Sequence, residues 1–181
     1  MKAILLNGSP AVNSHTGALL THLNTLLAEQ GYDAQLVNLR ELTLPVNDPD
    51  YHTNPENHPD QKVRDFVQLV KDAQVIVLGS PCYHGSFSGL LKSALDHLVD
   101  EAFKGKAVGV VSHAAGIRVS MQPAQHLALV ARTMEGRVSD RLIGTCKADY
   151  SEQNGRFVLS SDEILQRSER FVKELLELVS N

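Results

Sequence analysis

The chain has 181 residues, 43% of them hydrophobic and 21% charged, which suits one ordinary folded domain and excludes a largely disordered chain. A formal net charge of −4 without any basic run argues against a protein that holds nucleic acid through its phosphates. Two cysteines, Cys82 and Cys146, are too few for a disulfide framework or a paired CxxC zinc site, and read as reduced thiols of a cytoplasmic protein.

In chain order, Met1 and Lys2 precede a short apolar run at 3–6, closed by Asn7-Gly8. It is too short for the core of a signal peptide, and no run approaches the roughly 18 residues of a membrane span. Leu19, Leu20, Leu23 and Leu27 then follow the i, i+3/i+4 spacing of an amphipathic helix. A second, more polar run at 34–38 reads as the edge of a sheet. Residues 44–59 break the rhythm, with four of the seven prolines plus Asn47, Asp48, Asp50, Asn54 and Asn57. That stretch reads as a long functional or mobile loop. Val63, Phe66, Val67 and Val70 mark the next helix, and residues 75–78 the third run. Leu91, Ala94, Leu95 and Leu98 mark another helix before the fourth run at 107–111. Residues 119–134 read as a weaker helix with Pro123 near its first turn, and 142–146 as the fifth run. Asn154-Gly155, between Tyr150 and the β-prone 156–159, predicts a short hairpin. Ser160-Ser161 before Asp162-Glu163 predicts the capped start of a last helix carrying Leu165, Val172, Leu175, Leu176 and Val179.

Strand and helix alternate throughout, which predicts an α/β three-layer sandwich around a five-stranded parallel sheet. Runs three and four are apolar at nearly every position, as strands covered on both faces are. Five strands in this length fit the flavodoxin-like order 2-1-3-4-5, and the whole chain, 1–181, is expected to be one domain. In such a sheet ligands sit beyond the carboxyl ends of the strands, where the strand order switches. Here that is the crevice between the loops after runs one and three.

The first loop runs from Asn7 to Gly17 and offers Ser9, Asn13, Ser14 and Thr16 just before a helix N-terminus. Backbone N–H groups and the helix dipole favour an anion there. The loop lacks both the Walker A Gly-Lys-Ser/Thr and G-x-G-x-x-G, and it contains no Lys or Arg. It suits a phosphate monoester held by neutral donors. The plainer alternative is that its hydroxyls only cap the helix. The second loop, 79–89, crowds three glycines, Pro81, Tyr83, His84 and Phe87 into eleven residues, with Ser88 placed as an N-cap. A flat aromatic ligand fits against Tyr83 and His84; the alternative is a tight turn with Tyr83 packed on the sheet edge. The third loop, 112–118, is small and unspecific.

Gly8-Ser9-Pro10 with Ser14 and Thr16, and Ser80-Pro81-x-Tyr83-His84-Gly85-Ser86-x-Ser88-Gly89-x-Leu91-Lys92-x-x-Leu95-Asp96, resemble the NADPH-dependent FMN reductases. The resemblance runs from Met1 to about residue 145. It implies FMN as cofactor and NADPH or NADH as hydride donor. It implies that Ser9, Asn13, Ser14 and Thr16 hold the phosphate and that Pro81, Cys82, Tyr83, His84 and Gly85 line the isoalloxazine. Ser112 and Gly116 would flank the ring. It further implies a small-molecule electron acceptor, either free flavin or an oxidant such as a quinone, azo compound or metal oxyanion. A flavin monooxygenase partner and a homodimer or homotetramer are implied as well. The chain departs from the family twice. Many members carry an Arg in the first loop, where Ala11 to Asn13 supply none, and many carry paired glycines where this chain has Ala114-Ala115-Gly116.

No residue reads as an acid–base catalyst, and hydride transfer to a flavin needs none. His84 reads as positional, Cys82 as a packing residue and Arg118 as a surface residue that an NADPH phosphate could meet. The eight histidines form no HxH or HExxH cluster, so no metal site is expected. Two rival readings are a flavodoxin-like electron-transfer module without its own NAD(P)H turnover, and an enzyme with a phosphate pocket but no flavin.

Overall fold

A computed structural model describes residues 1–180 of the chain. The sheet is built from β1 (Lys2–Asn7), β2 (Asp33–Asn38), β3 (Val75–Pro81), β4 (Ala107–His113), β5 (Arg137–Val138) and β6 (Ile143–Thr145). All of its pairings are parallel, in the order β2-β1-β3-β4-β5, and β6 also pairs with β4. The fifth position is therefore shared. β5 pairs with the start of β4 and β6 with its end, Val111 to His113. The apolar run at 142–146 is the second of these pieces.

Residues alternate across the sheet because successive side chains point to opposite faces. Ala3, Leu5, Val75 and Val77 face one core, and Ile4, Leu6, Ile76 and Leu78 face the other. The first core is closed by α1 (His15–Glu29) and α6 (Asp162–Ser180) through Leu19, Leu20, Leu23, Phe171 and Leu175. The second is closed mainly by α3 (Gln61–Asp72), α4 (Gly89–Leu95) and α5 (Gln122–Thr133) through Phe66, Val70, Leu91, Leu95 and Leu127. A four-residue helix, α2 (Leu39–Leu42), follows β2 and had no counterpart in the sequence pattern.

Residues 44–59 are not structureless. They fold into two 3-10 turns, Pro49–Tyr51 and Pro55–Asn57, each with proline in its first turn. The ring nitrogen Nε2 of buried His97 lies 2.9 Å from the Pro45 carbonyl oxygen, which ties the stretch to the end of α4. The Asn154-Gly155 hairpin is present as β7 (Tyr150–Gln153) and β8 (Arg156–Leu159). Both turn residues have positive φ, 51° and 74°, as a type I′ turn requires.

Candidate functional site at the carboxyl ends of β1, β3 and β4

The strand register brings Asn7, Gly79 and Val111 level, so the loops that follow β1, β3 and β4 leave the sheet side by side. Gly8 sits where the first two loops touch. Its N–H donates to the Gly79 carbonyl at 2.8 Å, and its own carbonyl accepts from Ser88 Oγ at 2.6 Å. A Cβ on Gly8 would lie 2.7 Å from Leu91 Cβ, so only glycine permits this approach. Asn7, also buried, accepts from the Ser9 N–H through Oδ1 at 3.1 Å and donates through Nδ2 to Asn38 Oδ1 at 3.0 Å.

In the first loop, Ser14 is the N-cap of α1 and accepts from the Gly17 N–H at 2.9 Å. Ser9 Oγ accepts from the Ala11 N–H at 3.3 Å. A hydroxyl that accepts a backbone N–H still has its own hydrogen to donate. Thr16, one residue into the helix after His15, is 1% exposed, and its Oγ1 has no hydrogen-bond partner among the described residues. A buried orphan hydroxyl at a helix N-terminus fits an anion that arrives from solution. Asn13 behaves differently. Its Nδ2 donates to the Gly155 carbonyl at 2.8 Å and its Oδ1 accepts from the Phe157 N–H at 3.2 Å. Both ends of its amide are engaged by the hairpin, with one Nδ2 hydrogen left to donate.

In the second loop, Tyr83 and Ser86 exchange two backbone hydrogen bonds around His84 and Gly85, whose φ values are 50° and 79°. That is a second type I′ turn. Its tip lifts Tyr83, 47% exposed, and His84 into the open, rather than packing Tyr83 on the sheet. Pro81 and Cys82 are half-buried beneath, and the Cys82 N–H donates to the His113 carbonyl at 2.7 Å. The Ser88 N–H donates to Ser80 Oγ at 2.8 Å, which closes the loop from within. In the third loop Ser112 is fully buried and its hydroxyl donates to the Ser120 carbonyl, so it shapes the loop from inside. Gly116 is exposed, at the start of a 3-10 turn, Ile117–Val119.

Sequence reasoning missed a ring cluster behind the first loop. The His15 ring lies between His113, 4.2 Å away at 8°, and Phe157, 3.8 Å away at 16°. Tyr150 meets both histidines edge-on. Its hydroxyl pairs with Thr145 Oγ1 at 2.8 Å, and Thr145 Oγ1 lies 3.2 Å from His113 Nδ1. Burial, then the neighbouring His15 ring, pushes the His113 pKa down to about 4, against an opposing pull from Asp149. Burial and then the Lys147 charge also lower the pKa of His15. Only the Asn-Gly turn signal pointed to this region, and it did not say where the hairpin would dock.

The family model for NADPH-dependent FMN reductases matches residues 1–144. The chain belongs to this family. FMN is thus the cofactor and the chemistry is NAD(P)H-dependent reduction. The chain is similar to an FMN-dependent NADPH-azoreductase of Staphylococcus aureus, 35% identical over 184 aligned positions that cover all of this chain and 96% of that protein. Among solved structures it resembles the NAD(P)H:(acceptor) oxidoreductase of Paracoccus denitrificans, with a TM-score of 0.78 at 17% identity over 99% of this chain and 98% of that one. It also resembles an FMN complex of an NADH-azoreductase from Bacillus anthracis, with a TM-score of 0.64 at 17% identity, covering 99% and 100% of the two chains. Those two likenesses carry the fold alone. The orphan Thr16 hydroxyl and the capped N-terminus of α1 fit the phosphate of the family's cofactor.

Proposed function

We propose that this FMN reductase uses NADPH to reduce small flat acceptors, azo compounds and quinones first among them. The full-length similarity to an NADPH-azoreductase supports the acceptor class. The observation that carries the site is the buried, unpartnered Thr16 hydroxyl at the start of α1, beside the loops of β1, β3 and β4. Ser9, Ser14 and Thr16 hold the FMN phosphate with their hydroxyl hydrogens and with the first N–H groups of α1, while Asn13 fixes the loop that carries them. Pro81, Cys82 and the Tyr83–Ser86 turn form the wall against the isoalloxazine, with Gly116 across from them.

FMN held there would supply the redox chemistry of a hydride acceptor and electron donor. The protein holds donor and ring in line and leaves one side open to both substrates. The exposed Tyr83 and the exposed stretch 115–119 border that open side. The chain forms a single domain, works in the cytoplasm and assembles as a homodimer or homotetramer. Among the described residues no helix is long and apolar enough to cross a membrane.

The experiment is an acceptor screen with NADPH and NADH, each with and without added FMN. FMN-dependent NADPH oxidation driven by an azo dye or a quinone is expected. No turnover with any acceptor, in a protein that binds FMN, would leave an electron-transfer module instead.

A further inference from the structure

The hairpin β7–β8 lies past residue 144, where the family's match ends, yet it is bonded to the loop that the family shares. Gly155 and Phe157 hold both ends of the Asn13 amide, across 142 and 144 residues of chain. Phe157 also covers one face of the His15 ring, and His113 from the end of β4 covers the other. His15 is the first residue of α1, between the N-cap Ser14 and the orphan hydroxyl of Thr16. The residues of the phosphate loop are thus pinned at two successive points from outside, one polar and one aromatic. The loop itself needs such support. Val12 is 84% exposed and Ala11 and Asn13 are exposed too, so burial does little to fix their backbone, and the bond from the Ala11 N–H to Ser9 Oγ lies within the loop itself.

We propose that the β7–β8 hairpin is a positioning clamp for the phosphate loop, acting through Asn13 and Phe157, and that it sets the phosphate-dependent part of cofactor affinity. The clamp rests on the reading that FMN is held by its phosphate at this loop. A site ordered before its ligand arrives loses less freedom on binding, and that difference appears as affinity. The clamp also shows how a loop without Arg or Lys can hold a dianion, since neutral donors demand closer placement than a mobile cation does. Neither Asn13 nor Phe157 need touch the cofactor, so both act through Ser14 and Thr16.

The test uses the full-length protein stripped of flavin, titrated with FMN and with riboflavin. The proteins are the unaltered chain, Asn13→Ala, Phe157→Ala and Phe157→Tyr. The unaltered chain is expected to prefer FMN. Asn13→Ala and Phe157→Ala are each expected to weaken FMN roughly threefold to tenfold, the worth of one or two lost hydrogen bonds or an equivalent contact. Riboflavin affinity is expected to stay within about twofold, a shift below that of a single lost hydrogen bond. Phe157→Tyr keeps the ring and is expected to restore the preference. Asn13 is exposed, so its variant carries the test even if Phe157→Ala does not fold. Equal affinity for FMN and riboflavin in the unaltered chain would overturn the phosphate reading, and the clamp with it. A ratio of FMN to riboflavin affinity that both alanine variants leave unchanged would overturn the clamp alone. So would equal losses for both flavins, which would mark a general loss of structure.

Discussion

Thr16 and His113 are the two residues whose chemistry makes the sharpest forecasts. A buried hydroxyl without a partner is a cost to the ligand-free fold. Thr16→Val keeps the shape and removes that cost, so the melting temperature of the flavin-free protein should hold or rise. On the proposed role of Thr16 as a donor to the FMN phosphate, the same change removes a bond worth about 1.5–3 kcal/mol, so FMN should bind roughly 10- to 100-fold more weakly. Calorimetry and a flavin titration on one preparation check both signs. A fall in stability with unchanged FMN affinity would give Thr16 a purely structural role. His113 bears on acid stability. Its pKa stands at about 4 in the fold, and that of a free histidine near 6.5. Between those values the unfolded chain binds more protons, so stability falls as pH drops from about 6.5 to about 4. His15, shifted the same way, adds to the same limb. His113→Phe keeps a ring against His15 and removes the proton site. The variant should lose a good part of that acid slope in urea melts at pH 4 to 7, and an unchanged slope would place its origin elsewhere.

At the scale of elements, α4 and its cap join the second loop to the first. Ser88 Oγ accepts from the Leu91 N–H at 3.1 Å and donates to the Gly8 carbonyl at 2.6 Å, and the residue is 1% exposed. Ser88→Ala removes a cap, costing about 1 kcal/mol, and leaves a buried carbonyl short of a partner, costing about 1–3 kcal/mol. For a chain of this size each kcal/mol is about 2–4 °C. A drop of roughly 5–15 °C in melting temperature is expected by calorimetry, and a drop near zero would mean that water replaces the hydroxyl. Ser88 was legible as an N-cap because capping is a local signal. Its bond to Gly8, 80 residues away, was not. The same division runs through the fold. The long helices and the fully apolar strands announced themselves by period, and Asn154-Gly155 by turn chemistry. The fifth position was legible only in part: the run at 142–146 announced β6, but β5, two residues long and set apart by residues 139–142, is too short to show a pattern. The four-residue α2 and the 3-10 turns in 44–59 were hidden for the same reason. The docking of β7–β8 on Asn13 and His15 depends on contacts between distant segments, which no local pattern encodes.

For the whole molecule the question is whether residues beyond 144, where the family's match stops, are an appendage or part of the same cooperative unit. The packing favours one unit. Phe171, Val172 and Leu175 of α6 lie in the same core as Leu19, Leu20 and Leu23 of α1 and as Leu5, Val77 and Val111 of the sheet. Phe171 and Leu175 are fully buried, so α6 cannot leave without exposing that face of β1, β3 and β4. The first loop is fastened to both ends of this arrangement, through Gly8 to β3 and α4 and through Asn13 and His15 to the hairpin. Cofactor binding should therefore be felt by the entire fold. A ligand that binds only the native state at 100 times its Kd adds about 2.7 kcal/mol, which is roughly 5–11 °C here. Calorimetry should show one transition in the flavin-free protein, and FMN should move that transition as a whole. Riboflavin at the same concentration should move it less if, as proposed, the hydroxyls of Ser9, Ser14 and Thr16 meet the phosphate. Two transitions, with FMN shifting only one, would mean that α6 and the hairpin melt as a separate piece and that the shared core does not couple them to the loop.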